Sequence, residues 1–232
     1  VFFDPVYFLF LAPAMLLAAY AQWKLQSTFA EASQIPAASG YTGAQTAEHL
    51  LHSGGIYNVS VEFVPGELSD HYSPQEKALR LSEPVYQERS LAALGVAAHE
   101  AGHAFQDAER DSMLVLRNAI VPLANFGGSI SWILLVAGMV LASAKLVYIG
   151  IGAFSLTVLF QVINLPVEYD ASARARKKLL EAGLITPEED VEVGKVLNAA
   201  ALTYVAGTLS SIATLLYFLF RAGFFNGGSN RE

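Results

Sequence analysis

Four stretches of this chain carry no charged residue: Pro5 to Trp23, Asn118 to Ala144, Leu146 to Val167 and Val196 to Phe220. Each approaches or exceeds the ~20 residues that an α-helix needs to cross a ~30 Å hydrocarbon core. Lipid offers no hydrogen bonds to a backbone, so a spanning segment of this kind has to satisfy its own and be helical. Composition agrees, since 53% of the 232 residues are hydrophobic and only 15% are charged, against about a quarter charged in an ordinary soluble domain. The expected fold class is mainly α, a polytopic membrane protein with about four transmembrane helices. Ala19-Tyr20-Ala21 resembles a signal cleavage site, but the first apolar stretch is preceded by Asp4 and by no basic residue. It therefore reads as an anchor, with Trp23 and Lys24 at the interface.

The apolar stretches divide the chain into an anchor at 1–24, a polar segment at 25–117, a transmembrane hairpin at 118–167, a second polar segment at 168–195, a fourth helix at 196–221 and a tail at 222–232. The tail is rich in Gly, Asn and Ser, which predicts disorder. Lys24, Lys77, Arg80, Arg89, Arg110 and Arg117 lie in the first polar segment, and Arg174, Arg176, Lys177, Lys178 and Lys195 in the second. The other side of the membrane receives Lys145, Arg221 and Arg231. The excess of basic residues predicts an N-terminus outside and both polar segments in the cytoplasm, the cluster Arg174 to Lys178 carrying most of the weight.

Within the first polar segment, Val96 to Gln106 reads VAAHEAGHAFQ. Ser90 is placed as an N-cap for a helix running to about Ala108. On a helix, His99 and His103 at i and i+4 share one face and can meet one metal ion, with Glu100 beside them as a general base for water. The apolar neighbours Val96, Ala97, Ala98, Ala104 and Phe105 predict burial, and buried imidazoles need partners. The absence of cysteine excludes disulfides, a thiolate site and a cysteine nucleophile, so a zinc ion here would take His and carboxylate ligands. A net charge of −7, with no basic cluster that stands out as a patch, argues against a nucleic-acid partner.

A catalytic zinc keeps three protein ligands and an open position. Asp107, one turn beyond His103, is poorly placed to join the two histidines from the same helix. His71 is a candidate, and Glu168 a better one. Glu168 follows the third apolar stretch, and two membrane crossings return the chain to the side of His103. A carboxylate at the end of an apolar helix is costly unless it is paired or bound to a metal. Asp170 pairs naturally with Arg174 at i+4, or accepts a ligand histidine's N–H. Asn164 and Gln161 are polar groups near the same end of that helix. His71, Tyr72 and Tyr169 are candidates for stabilising an oxyanion. His49 and His52 read as surface residues.

The remaining polar sequence reads as a small α+β domain. Gln26 to Gly40 is expected as a linker or frayed helix. Thr42 caps a helix that stops at Gly54-Gly55. Val59 to Val64 and Lys77 to Leu81 are expected strands, and Ser69 to Pro74 a loop that reaches the cleft if the strands pair beside the His99 helix. Glu181 to Glu192 is an acidic helix-loop-helix link with Gly183 as C-cap, Thr186 as N-cap and Pro187 at N1.

HEAGHAFQ, the preceding DHYSP and RLSEPVY, and the later LPVEYDASAR together resemble the YugP-type bacterial membrane zinc metallopeptidases, over nearly the whole chain. The sequence is similar at greater distance to gluzincin membrane proteases, whose third ligand is a downstream glutamate. The resemblance implies zinc held by His99, His103 and Glu168, Glu100 as catalytic base, and peptide hydrolysis at a bacterial inner membrane with the site facing the cytoplasm. In the distant relatives an aspartate commonly follows the ligand glutamate by four positions, where this chain has Ser172. Expected partners are a peptide or protein substrate, membrane-associated on this reading, the lipid bilayer, and a second copy or membrane partner protein. The rival reading is an inactive scaffold with a structural zinc, supported by small residues suited to helix packing at Gly127, Gly128, Ser131, Gly150 and Gly152.

Overall fold

The computed structural model describes residues 4–66 and 68–223; the expected disordered tail lies largely outside them. Four of its helices are long and apolar enough to cross a membrane: α1 (Pro5–Ser33), α5 (Ser112–Val140), α6 (Ala144–Glu181) and α7 (Pro187–Arg221). Between α1 and α5 lie α2 (Gly43–Ser53), β1 (Ser60–Val64), β2 (His71–Ser73), β3 (Ala78–Ser82), α3 (Glu83–Gln87) and α4 (Leu91–Ala108). The chain divides into two compact units. One takes the described parts of Val1–Tyr20, Leu116–Leu165 and Thr203–Glu232; the other takes Ala21–Val115 and Pro166–Leu202.

In the first unit α5 and α6 pack through small residues. A Cβ on Gly127 would stand 2.7 Å from the carbonyl oxygen of Ala153, and one on Gly150 would stand 2.9 Å from the Leu135 side chain. Two of the glycines read as suited to helix packing are thus used within the hairpin, whereas a Cβ on Gly152 would meet nothing within 4 Å. An apolar cluster of Leu135, Ile151, Tyr217 and Phe218 gathers Val6, Tyr7 and Phe10 around it.

The second unit has a conventional buried core of Leu50, Leu51, Leu79, Leu81, Val85, Leu91, Leu94, Phe105, Leu179 and Leu184. Its sheet has the order β1-β3-β2, with β1 parallel and β2 antiparallel to β3. The central strand β3 is nearly all buried, whereas β1 is half-exposed. The expected strands are present and paired. The stretch Ser69 to Pro74, expected as a loop, contains β2, whose Tyr72 lies opposite Leu79. Three polar and aromatic residues carry no alternation to read, and it is the neighbouring edge of β3 that makes them a strand. Gln26 to Gly40 is likewise more ordered than a linker: α1 runs on to Ser33, because Phe29 and Ala32 pack against Ala92 and Val196.

Capping residues act where the sequence places them. The Ser90 hydroxyl accepts from Ala93 N at 3.2 Å, and Thr42 and Gln45 form a reciprocal capping box. Thr186 and Glu189 form a second one, just after Gly183 has ended α6 with φ +66.

One close approach sets the geometry that follows. A Cβ on Gly102 of α4 would lie 2.6 Å from the carbonyl oxygen of Ala171 in α6, so the two helices meet backbone to backbone at that point. Gly102→Ala is therefore expected to lower the stability of the purified protein by about 1–3 kcal/mol through overpacking, read as a lowered thermal midpoint in detergent. Gly152→Ala, with open space around it, should leave the midpoint unchanged.

Candidate metal centre

The face of α4 that meets α6 carries His99, Gly102, His103 and Gln106, spaced i, i+3, i+4 and i+7 as one helical stripe requires. Their partners on α6 run the other way. His99 Nδ1 lies 3.1 Å from Ser172 Oγ, Gly102 abuts Ala171, His103 Nε2 lies 3.6 Å from Glu168 Oε2, and Gln106 Nε2 donates to Val167 O at 3.0 Å. The helices are thus antiparallel where they touch. Only glycine at 102 lets the two backbones approach this closely, and the approach delivers Glu168 to the two imidazoles.

The result is a cluster of His99, His103 and Glu168 whose ligand atoms lie within 4.8 Å of one another. Glu168 Oε2 is 3.3 Å from His99 Nε2 and 3.6 Å from His103 Nε2. Ligands about 2.0–2.1 Å from a tetrahedral zinc are separated from one another by roughly 3.3–3.4 Å, so the two Glu168–histidine separations are close to those of a zinc site and the donor set fits zinc in chemistry. The Glu168 side chain is 5% exposed, while the histidines at 12% and 13% keep some access to solvent. Burial on its own lowers the pKa of His103. Its pairing with Glu168, the negative charges of Glu100 and Glu168, and the contact with Gln106 outweigh burial and hold it above the ordinary value. The same charges that favour a proton on the ring favour a cation in its place.

Glu100 is buried on α4 between the two histidines in sequence. Asp170 makes the expected pair with Arg174, at 2.5 Å. It reaches a histidine of the cluster only through Gln106, whose Nε2 donates to Asp170 Oδ2 at 2.8 Å while its Oε1 faces His103 Nδ1 at 2.9 Å. Sequence reasoning missed Gln106 and Ser172 as partners of the clustered histidines. The available signal was position: Gln106 is i+3 from His103, and Ser172 is i+4 from Glu168.

The other candidates are placed elsewhere. His71 is exposed on β2, with Nδ1 2.8 Å from Ser69 O, and it is not a member of the cluster. Alternation along β2 instead turns Tyr72 toward α4, where its hydroxyl donates to Asp107 Oδ2 at 2.6 Å. Burial first, and then Asp107, raise the pKa of that phenol. Asp107 also pairs with Lys77 at 2.6 Å, so it fastens the sheet to α4. Tyr169 is half-exposed. Asn164 is buried, and its oxygen accepts from Arg117 Nε at 3.0 Å. Gln161 lends its carbonyl to Thr208. His49 meets the edge of Tyr41, and His52 stacks on Tyr57.

Comparison with known proteins agrees with this geometry. A family model described as "Putative neutral zinc metallopeptidase" matches residues 7–223. The chain is 48% identical over 213 residues to the Bacillus subtilis (strain 168) protein named "Putative membrane protease YugP", covering 91% of this chain and 95% of that one. No solved structure matches the chain significantly. With a family match from the first apolar helix to the end of the fourth, and a histidine and glutamate cluster spaced for the family's metal, this chain belongs to the neutral zinc metallopeptidase family.

Proposed function

We propose that this protein is a membrane-embedded zinc endopeptidase. The observation that carries the reading is the three-residue cluster on α4 and α6, with Glu100 beside it in the sequence. Among the described residues the cluster holds three candidate ligands, whereas a structural zinc site would ordinarily be closed by a fourth protein ligand. The catalytic reading is therefore favoured over the scaffold.

In this proposal His99 and His103 bind zinc through Nε2, and Glu168 supplies the carboxylate. When bound, zinc supplies Lewis-acid polarisation of the scissile carbonyl and eases ionisation of the attacking water. Glu100 accepts the proton of that water and returns it to the leaving amine. Its burial keeps the proton within the site and away from bulk solvent. Tyr72 already gives its hydroxyl proton to Asp107, so Tyr169, half-exposed one residue after Glu168, is the candidate donor to the developing oxyanion. His71, pointing away from α4, is a weaker one.

The polar segments are proposed to face the cytoplasm of a bacterial cell across the inner membrane, with Arg174, Arg176, Lys177 and Lys178 following the apolar part of α6. The 38 residues of α6 span about 57 Å at helical rise, nearly twice a ~30 Å hydrocarbon core. The helix that crosses the membrane is thus long enough to carry Glu168 beyond the hydrocarbon. Substrates are accordingly proposed to be peptides or proteins at or near the cytoplasmic membrane surface, and a homo-oligomer or membrane partner is proposed as the working assembly.

Purified Glu100→Gln is expected to keep stoichiometric zinc while losing at least about a hundredfold in peptide cleavage, as for loss of a general base; wild-type cleavage by that variant would refute the assignment. Glu168→Ala is expected to lose both zinc, measured by elemental analysis, and activity. Full zinc occupancy in that variant would place the third ligand elsewhere.

A further inference from the structure

The two histidines of the cluster are supported unequally, and hydrogen-bond accounting shows how. Gln106 is fully buried. Its Nε2 faces two acceptors, the backbone oxygen of Val167 at 3.0 Å and Asp170 Oδ2 at 2.8 Å. A backbone carbonyl only accepts, so the amide NH2 has to be the group turned toward Val167. Both of its N–H groups are then used, and Oε1 is left facing His103 Nδ1 at 2.9 Å. An amide oxygen only accepts, so the proton of that bond belongs to His103 Nδ1. The ring's other nitrogen, Nε2, is the one that faces Glu168. Asp170 is held in turn by Arg174, which also contacts Glu109 and Asp111. A chain of assigned donors and acceptors therefore runs from this charge cluster to one ligand.

His99 has no such chain. Its Nδ1 faces the Ser172 hydroxyl at 3.1 Å, a group that donates or accepts with equal ease, so this contact orients the ring without choosing its tautomer.

Building on the zinc-site reading above, we infer that Gln106 is a positioning residue that holds His103 as its Nδ1–H tautomer and so presents Nε2 to the metal. His99, which lacks this fixed acceptor, is the adaptable ligand of the pair. A second partner that fixes tautomer and ring orientation typically changes metal affinity by about 10–100-fold.

The test uses the full chain in detergent, 15N-labelled at histidine. The metal-free protein is read by long-range 1H–15N correlation at a pH where the rings are neutral, and zinc affinity is read by competition with a chromophoric chelator. The wild type is expected to show His103 protonated at Nδ1. Gln106→Met, nearly the same size but with no acceptor, should lose that signature and bind zinc about 10–100-fold more weakly. Gln106→Glu, carrying a proton on the oxygen that faces Val167 and Asp170, still accepts from Nδ1–H through its other oxygen, so it should keep the signature and bind zinc more tightly than the Met variant. A purely packing role would not separate these two variants. A wild-type His103 protonated at Nε2, or a Met variant with unchanged tautomer and zinc affinity, would overturn the inference. A wild type that shows the tautomer but takes up no zinc would instead overturn the zinc-site reading and leave the role of Gln106 standing.

Discussion

The structure of the candidate site depends on one contact, the backbone-to-backbone approach of α4 and α6 at Gly102 and Ala171. The residues on either side of Gly102 are fixed in space by that approach. One helical step toward the N-terminus of α4 brings His99 to Ser172, and one step the other way brings Gln106 to Val167 and Asp170. Any side chain at 102 would push α6 outward and carry Glu168 away from both imidazoles. The motif is usually read as two ligands and a base, but in this chain its glycine does as much to build the site as its histidines.

Electrostatics explains why such an arrangement persists in a mainly apolar unit. A buried carboxylate and two largely buried imidazoles are costly when left uncompensated. Here each is paired: Glu168 with both histidines, His103 with Gln106, and His99 with Ser172. The outer edge is closed by Arg174, which reaches Asp170, Glu109 and Asp111, while Asp111 Oδ1 accepts from the first backbone N–H groups of α5. One arginine thus ties α6 to the corner between α4 and α5, so the elements that carry the cluster are fastened at both the centre and the rim of their contact.

Much of this is legible in the sequence. Charge-free runs mark the four long helices, because a bilayer tolerates no unpaired charge or unsatisfied backbone. Ser90, Thr42 and Thr186 mark helix starts, because their side chains satisfy otherwise unbonded N–H groups. Glu168 could be nominated from the parity of membrane crossings together with the cost of a carboxylate at the end of an apolar helix. What escaped reading has a common cause: β2, the extension of α1 to Ser33, and the roles of Gln106 and Ser172 are set by what packs against them and not by their own pattern. Gln106 in particular looks like a surface residue in sequence and is wholly buried in the fold. His71 and Tyr72 show the complementary difficulty, since neighbouring polar residues in a short strand point to opposite faces and only the strand's register decides which one turns toward α4.

The central claim is that two imidazole nitrogens and one carboxylate, drawn from helices far apart in sequence, hold a single zinc in an open site. The zinc K-edge absorption spectrum of the purified full-length protein tests it most directly. The account predicts one zinc per chain, with two histidine nitrogens and one carboxylate as its protein ligands and a coordination position left to solvent. Four protein ligands closing the metal, or a histidine count other than two, would contradict it.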